Sequence, residues 1–212
     1  MMNQACFSKN ANLHEQNQHA SYIRPLKNDF VLMKSLPKKI AKITLLCLLF
    51  TGCKKNYVIS NKQALLFQYD YINYAWGYKH NGFIIDSEGN VLKYNNPENW
   101  NFHESDSTLS EAQISENIMM CTRTGIKISD EELHKYSSHI KNIASSKVTA
   151  LKNVAADAGS AEYLCYQFSE KTKTYSCYII KMEGNFRCEN LNFYSKKVVE
   201  WMKDINIRIS GN

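Results

Sequence analysis

Proline and glycine are scarce in this chain, with three and eight among 212 residues. Pro97 is the only proline beyond residue 37, and the glycines after the N-terminal region stand singly. Collagen-like, linker-like and low-complexity architectures are thereby excluded. No apolar run approaches the roughly 20 residues that a spanning helix needs. Gly-x-Ser-x-Gly, His-Glu-x-x-His and Cys-x-x-Cys are all missing, which removes the serine-hydrolase elbow, the zinc-protease helix and the thioredoxin-type pair.

The excess of positive charge is also concentrated in one part of the chain. The formal net charge is +6, yet residues 1–53 hold seven Lys or Arg against two Asp or Glu. Residues 54–212 carry nineteen against eighteen. That near-neutral stretch has no basic stripe to neutralise phosphates, so nucleic acid is not an expected partner.

What is present begins with Met33–Cys53, MKSLPKKIAKITLLCLLFTGC. Lys34, Lys38, Lys39 and Lys42 make a basic start without an acidic residue, and Ile43–Phe50 is an apolar run of eight. Thr51 and Gly52 then lead into Cys53. This order of basic, apolar and small residues is that of an export signal. The closing Phe50-Thr51-Gly52-Cys53 resembles the cleavage box of bacterial lipoprotein signals, with Phe50 where Leu is usual. The resemblance implies a diacylglyceryl group on Cys53, cleavage before it, and acylation of the new amino group. It also implies a cell-envelope location, and Lys54 after the anchor implies the outer membrane, facing the periplasm. Two or more acyl chains make such attachment effectively permanent. Residues 1–32 are polar and precede the signal, so we expect Met33 to be the initiator and 1–32 to be an over-extended reading frame. Residues 33–52 would be the signal peptide, 53–62 the lipidated cysteine and tether, and 63–212 one domain.

Within that domain the patterns are those of an α+β fold: a mainly antiparallel sheet with about three helices on one face. Ala64–Trp76, ALLFQYDYINYAW, alternates as a strand does, although Leu65, Tyr69, Ile72 and Trp76 also fit helical spacing. Gly82–Asp86 and Val91–Tyr94 flank Ser-Glu-Gly-Asn, a hairpin in which Asp86 closes the turn and Gly89 takes positive φ. Asp86 and Glu88 lack calcium-loop spacing. The stretch Tyr74–Tyr94 resembles uncharacterised bacterial secreted and lipoprotein domains of no known activity. A loop over 95–107 precedes helices over Glu111–Arg123 and from Ser129, where Ser129 and Glu132 form a capping box. Strands follow at Glu162–Phe168, Thr174–Met182 and Phe186–Leu191, then a helix capped by Asn192.

Four cysteines remain after Cys53: Cys121, Cys165, Cys177 and Cys188. An even number in an exported chain permits disulfides. If Phe168 pairs with Thr174, Cys165 falls directly opposite Cys177, leaving Cys121 with Cys188 as one of three connectivities. Four free buried thiols are the alternative. Their spacing lacks the close pairs of zinc sites, and His134 and His139 are five apart on a helix, too far around it to share an ion. No metal or cofactor is expected. Ser138-His-Ile-Lys141 matches Ser-x-x-Lys without companion motifs, so a solvated helix face explains it.

The remaining candidate is aromatic. Tyr69, Tyr71, Tyr74, Trp76 and Tyr78 lie close together, and Tyr69, Tyr71, Trp76 and Tyr78 would form a binding face if exposed, or core if covered. The expectation is a non-catalytic, membrane-anchored lipoprotein that binds an envelope protein, peptide or glycan, inhibitor or immunity proteins being one form of that class. An envelope hydrolase is the alternative, favoured by a cleft that brings Asp157 near a histidine.

Overall fold

A computed structural model describes residues 62–103 and 108–211. The signal, Cys53 and nearly all of the tether lie outside the described residues. An antiparallel sheet forms from β1 (Leu65–Asn73), β2 (Lys79–Asp86), β3 (Asn90–Asn95), β4 (Thr108–Ser110), β5 (Thr122–Lys127), β6 (Lys152–Asn153), β7 (Ser160–Ser169), β8 (Thr174–Gly184) and β9 (Phe186–Glu189). Spatial order is β5-β3-β2-β1-β7-β8-β9-β6, with β4 on β8. The helices are α1 (Glu111–Met119), α2 (Asp130–Ser137), α3 (Ile140–Ala144) and α4 (Ser195–Ser210). This is the α+β fold expected from the sequence. None of these helices is long and apolar enough to cross a membrane, which says nothing of strands.

Side chains alternate along each strand, so the sheet has two buried faces. On one, Phe67, Phe83, Ile85, Tyr163, Cys165 and Ile180 pack with Leu133, Ile140, Ile143, Val198, Trp201, Met202 and Ile205 from α2, α3 and α4. On the other, Ile84, Leu92, Tyr94, Leu164 and Tyr166 pack with Ile114 of α1 and with Trp100. The segment 96–103 thus acts, through Trp100, as cover for a second core.

Local chemistry accounts for the ends of these elements. Asp86 Oδ1 accepts from the Glu88 and Asn90 N–H groups at 3.0 and 2.8 Å, closing the β2–β3 turn with Gly89 at φ +80°. Ser110 and Gln113 form a full capping box at α1, unrecognised in the sequence. At α2 the Ser129 hydroxyl does accept from the Glu132 N–H, but the Glu132 carboxylate accepts from Trp201 Nε1 at 2.7 Å rather than turning back. Asn192 is not the cap of α4; Tyr194 occupies that position and Asn192 Oδ1 receives its N–H.

The disulfide expectation is corrected by one residue of register. The hairpin closes with Ser169 opposite Thr174, so Cys165 faces Tyr178 and Cys177 faces Tyr166. A one-residue slip turns each side chain to the other face. Cys165 accordingly joins the helix-covered core while Cys177 packs on the other side. All four thiols, Cys121 and Cys188 included, are free. Burial pushes the Cys121 thiol up to about 12 and raises the other three. Thiol alkylation without reductant is therefore expected to be slow in the native protein and to label all four upon denaturation; fewer than four labels would restore a disulfide.

Candidate functional site

The most concentrated polar chemistry lies on the sheet face opposite α2–α4, around a histidine that drew no special notice in the sequence. His80 is 0 % exposed. Asp70 and Ile72 alternate onto that face from β1, and Ile72 is the register partner of His80. His80 Nε2 meets Asp70 Oδ1 at 2.8 Å, and a carboxylate oxygen only accepts, so Nε2 donates. The Tyr94 hydroxyl reaches the same Asp70 oxygen at 2.7 Å and lies 3.0 Å from the Tyr69 carbonyl. Gln68 Nε2 donates to Tyr94 Oη at 3.1 Å, and the Tyr166 hydroxyl donates to Gln68 Oε1 at 2.7 Å. Five buried side chains from four strands thus share one chain of bonds. Burial, then the Asp70 charge, holds the Tyr94 hydroxyl well above its usual range.

Gly82 makes this network possible. A Cβ there would stand 2.0 Å from the Tyr69 carbonyl oxygen and 2.5 Å from the Tyr94 hydroxyl, so only a bare Cα lets Tyr94 cross β2 to reach Asp70. One atom is left over: His80 Nδ1 is buried without a hydrogen-bond partner among the described residues. The ring is boxed by Tyr94, Trp100 and Phe102 at 5.2, 5.5 and 4.9 Å between centroids, with Tyr78 at 6.2 Å. Asn96, at φ +46°, ties the covering segment down by exchanging bonds with both backbone groups of His80.

A second histidine–carboxylate pair stands beside the first. Glu162 is the register partner of Asp70, and its Oε2 lies 3.0 Å from His103 Nε2. Burial works to lower the His103 imidazole, but the hydrogen bond and charge of Glu162 more than offset it, so the net shift is upward. Stability from a raised imidazole is fully present below its unfolded value of about 6.5 and fades as pH rises through the folded value. The stability advantage of wild type over His103→Gln is therefore expected to hold below about pH 6.5 and to shrink as pH rises above it in urea titrations. An advantage independent of pH would show that the pair carries no linked proton. His139, lowered by burial and by Lys197 and Lys135, is common to both proteins and cancels.

The expected aromatic face divides. Tyr69 packs against the helix-covered core, stacked on Phe83 and tilted on Tyr163. Tyr71 is half-buried, its hydroxyl on the Ala158 carbonyl. Trp76 and Tyr78 lie beyond the end of β1 in the turn to β2, where Trp76 is 80 % and Tyr74 72 % exposed. Tyr74 and Tyr78 pack on each other at 5.4 Å, and Phe102 is exposed beside them, over His80. The sequence had singled out Trp76 and Tyr78 but not Phe102, whose place depends on a loop that returns across the sheet.

Next to this tip a groove of about 480 Å³ opens on the same face. Its floor is Ile72, Ser160, Glu162 and Met182 from three neighbouring strands, and its walls include Tyr74, Leu151 and Phe186. Asp157, at φ +65°, and Asn185 also line it. Asp157 therefore does share a groove with Glu162, the partner of His103. Among the described residues no hydroxyl or thiol is hydrogen-bonded to either imidazole, and no three His, Cys, Asp or Glu side chains converge as metal ligands. Compared with known protein families, curated proteins and solved structures, the chain matches none.

Proposed function

We propose that the chain is a lipid-anchored protein of a bacterial cell envelope whose domain binds a ligand through the aromatic tip formed by Tyr74, Trp76, Tyr78 and Phe102. The carrying observation is the exposure of these rings together, on a turn braced from beneath by the buried Asp70–His80–Tyr94 network. Large rings left in water on a rigid support offer contact area at little entropic cost. The chain enters the sheet at Leu65 and β1 carries it nine residues, about 30 Å, to the tip. Outer-membrane attachment facing the periplasm, and an inhibitor or immunity role, are forms of this reading.

A photo-crosslinking residue at position 76, in the full chain in native membranes, is expected to trap a specific adduct. The same residue at Ile207, exposed on α4, should not. Absence of any adduct at 76 would sink the binding reading. For the anchor, Cys53→Ala should release the protein from membranes and abolish acyl labelling.

One observation supports the hydrolase alternative: Glu162, which lines the groove together with Asp157, is paired to His103, whose imidazole it raises. On this reading the pair acts on water, since burial raises the nearby Cys177 thiol and weakens it as a nucleophile.

A further inference from the structure

The groove beside the tip also points to a ligand class, on the reading that the tip binds. Its lining includes two carboxylates, Asp157 and Glu162, and no Lys or Arg, which excludes an anionic ligand held by charge. Glu162 is already paired to His103. The single remaining carboxylate, exposed Asp157, holds a cation weakly at best. Recognition there must then rest on ring faces and on neutral hydrogen bonds.

Backbone pairing discriminates among uncharged ligands. The groove floor belongs to β1, β7 and β8. β1 is bonded to β2 and β7, β7 to β1 and β8, and β8 to β7, β9 and β4. An extended peptide adds to a sheet through a free strand edge, and these strands offer none at the groove. Lying on the sheet face, a peptide would leave its own backbone donors and acceptors unpaired against Ile72 and Met182. A sugar ring meets neither objection. Its C–H faces stack on aromatic rings such as Tyr74 and Phe186, and its hydroxyls suit Ser160, Asp157 and Asn185 at the floor and rim.

We propose that this groove, with Tyr74 in its wall and Trp76 exposed in the adjoining turn, binds a neutral oligosaccharide across the sheet face. The volume fits, since sites for small ligands span roughly 300–1,000 Å³.

Trp76 provides the readout, because Trp100 and Trp201 are buried. The full chain, purified in detergent, is titrated with a panel of neutral oligosaccharides and, separately, with a pool of uncharged hexapeptides. The expected result is a blue shift of the exposed tryptophan by at least one oligosaccharide, with affinity nearly unchanged from low to high salt. Tyr74→Ala and Phe186→Ala should each weaken it about tenfold, roughly 1.4 kcal/mol, while leaving the urea midpoint in place; Ile207→Ala should change neither. Binding of peptides but not sugars would overturn the oligosaccharide proposal while the aromatic-tip reading stood. No shift with either class, with the crosslink at position 76 still formed, would likewise overturn the proposal alone. No shift and no crosslink would remove both.

Discussion

Replacing Asp70 by Ala is expected to cost about 3–5 kcal/mol of folding stability, the range for removing one partner of a buried, hydrogen-bonded charged or polar pair. The carboxylate serves His80 Nε2 at 2.8 Å and the Tyr94 hydroxyl at 2.7 Å. Both donors are buried, and although the Tyr94 hydroxyl could turn to the Tyr69 carbonyl at 3.0 Å, the His80 ring has no second acceptor among the described residues. With His80 Nδ1 already lacking a partner, the substitution would leave the imidazole with no hydrogen bond at all. Asp70→Asn keeps one acceptor oxygen and is expected to lose only about 1 kcal/mol. Urea denaturation of the three proteins measures both. Since a domain of this kind has about 5–15 kcal/mol in total, the Ala variant should be close to unfolding at 37 °C. A loss below about 1 kcal/mol for Asp70→Ala would mean that water reaches His80 and that the network does not brace the tip.

That network also marks where sequence reasoning stopped. The β2–β3 hairpin was legible because its turn chemistry, Asp86 with Gly89, lies within five consecutive residues. Strands β7 and β8 were legible as strands, but their register was not. Ser169 and Thr174 close the loop where Phe168 was expected to pair with Thr174, and nothing in a polar loop counts its residues. The slip of one sent Cys165 and Cys177 to opposite faces. Strand β5, Thr-Arg-Thr-Gly-Ile-Lys, escaped notice because an edge strand with charged and mostly exposed side chains has no apolar alternation to show.

The candidate site was half legible for a similar reason. Alternation correctly puts Tyr69 and Tyr71 on one face of β1, but it cannot say that the strand ends at Asn73 and that Trp76 and Tyr78 belong to a turn. Residues of the His80 network run from Gln68 to Tyr166, so no local window holds them. A usable signal did exist: Asp70 and Gln68 are polar at alternate positions of an otherwise apolar, aromatic strand. Polar residues on a buried stripe need partners, and a search for those partners would have led to His80 and Tyr94. The helix-covered face was easier, because the spacing of Val198, Trp201, Met202 and Ile205 alone places them inward.

On that easier face Trp201 carries the second large expected effect, a loss of about 3–5 kcal/mol for Trp201→Ala. The indole is buried, stands edge-on to Phe67 at 5.2 Å, stacks on Tyr136 at 4.3 Å, and donates to Glu132 at 2.7 Å. Deletion would open a cavity between α4, α2 and β1 that rigid strands cannot collapse to fill. Trp201→Phe keeps most of the ring contact and removes the N–H, so about 1–2 kcal/mol is expected, and the gap between the two variants measures packing. The same pair decides what Glu132 does. If its carboxylate served the capping box that the sequence suggested, Glu132→Ala would cost the same in wild type and in Trp201→Phe. Because the carboxylate instead accepts from Trp201, a double-mutant cycle in urea should show coupling of about 1 kcal/mol. The Ser129 hydroxyl's bond to the Glu132 N–H should survive in every variant, so the helix start would stay in place while its tie to α4 is cut.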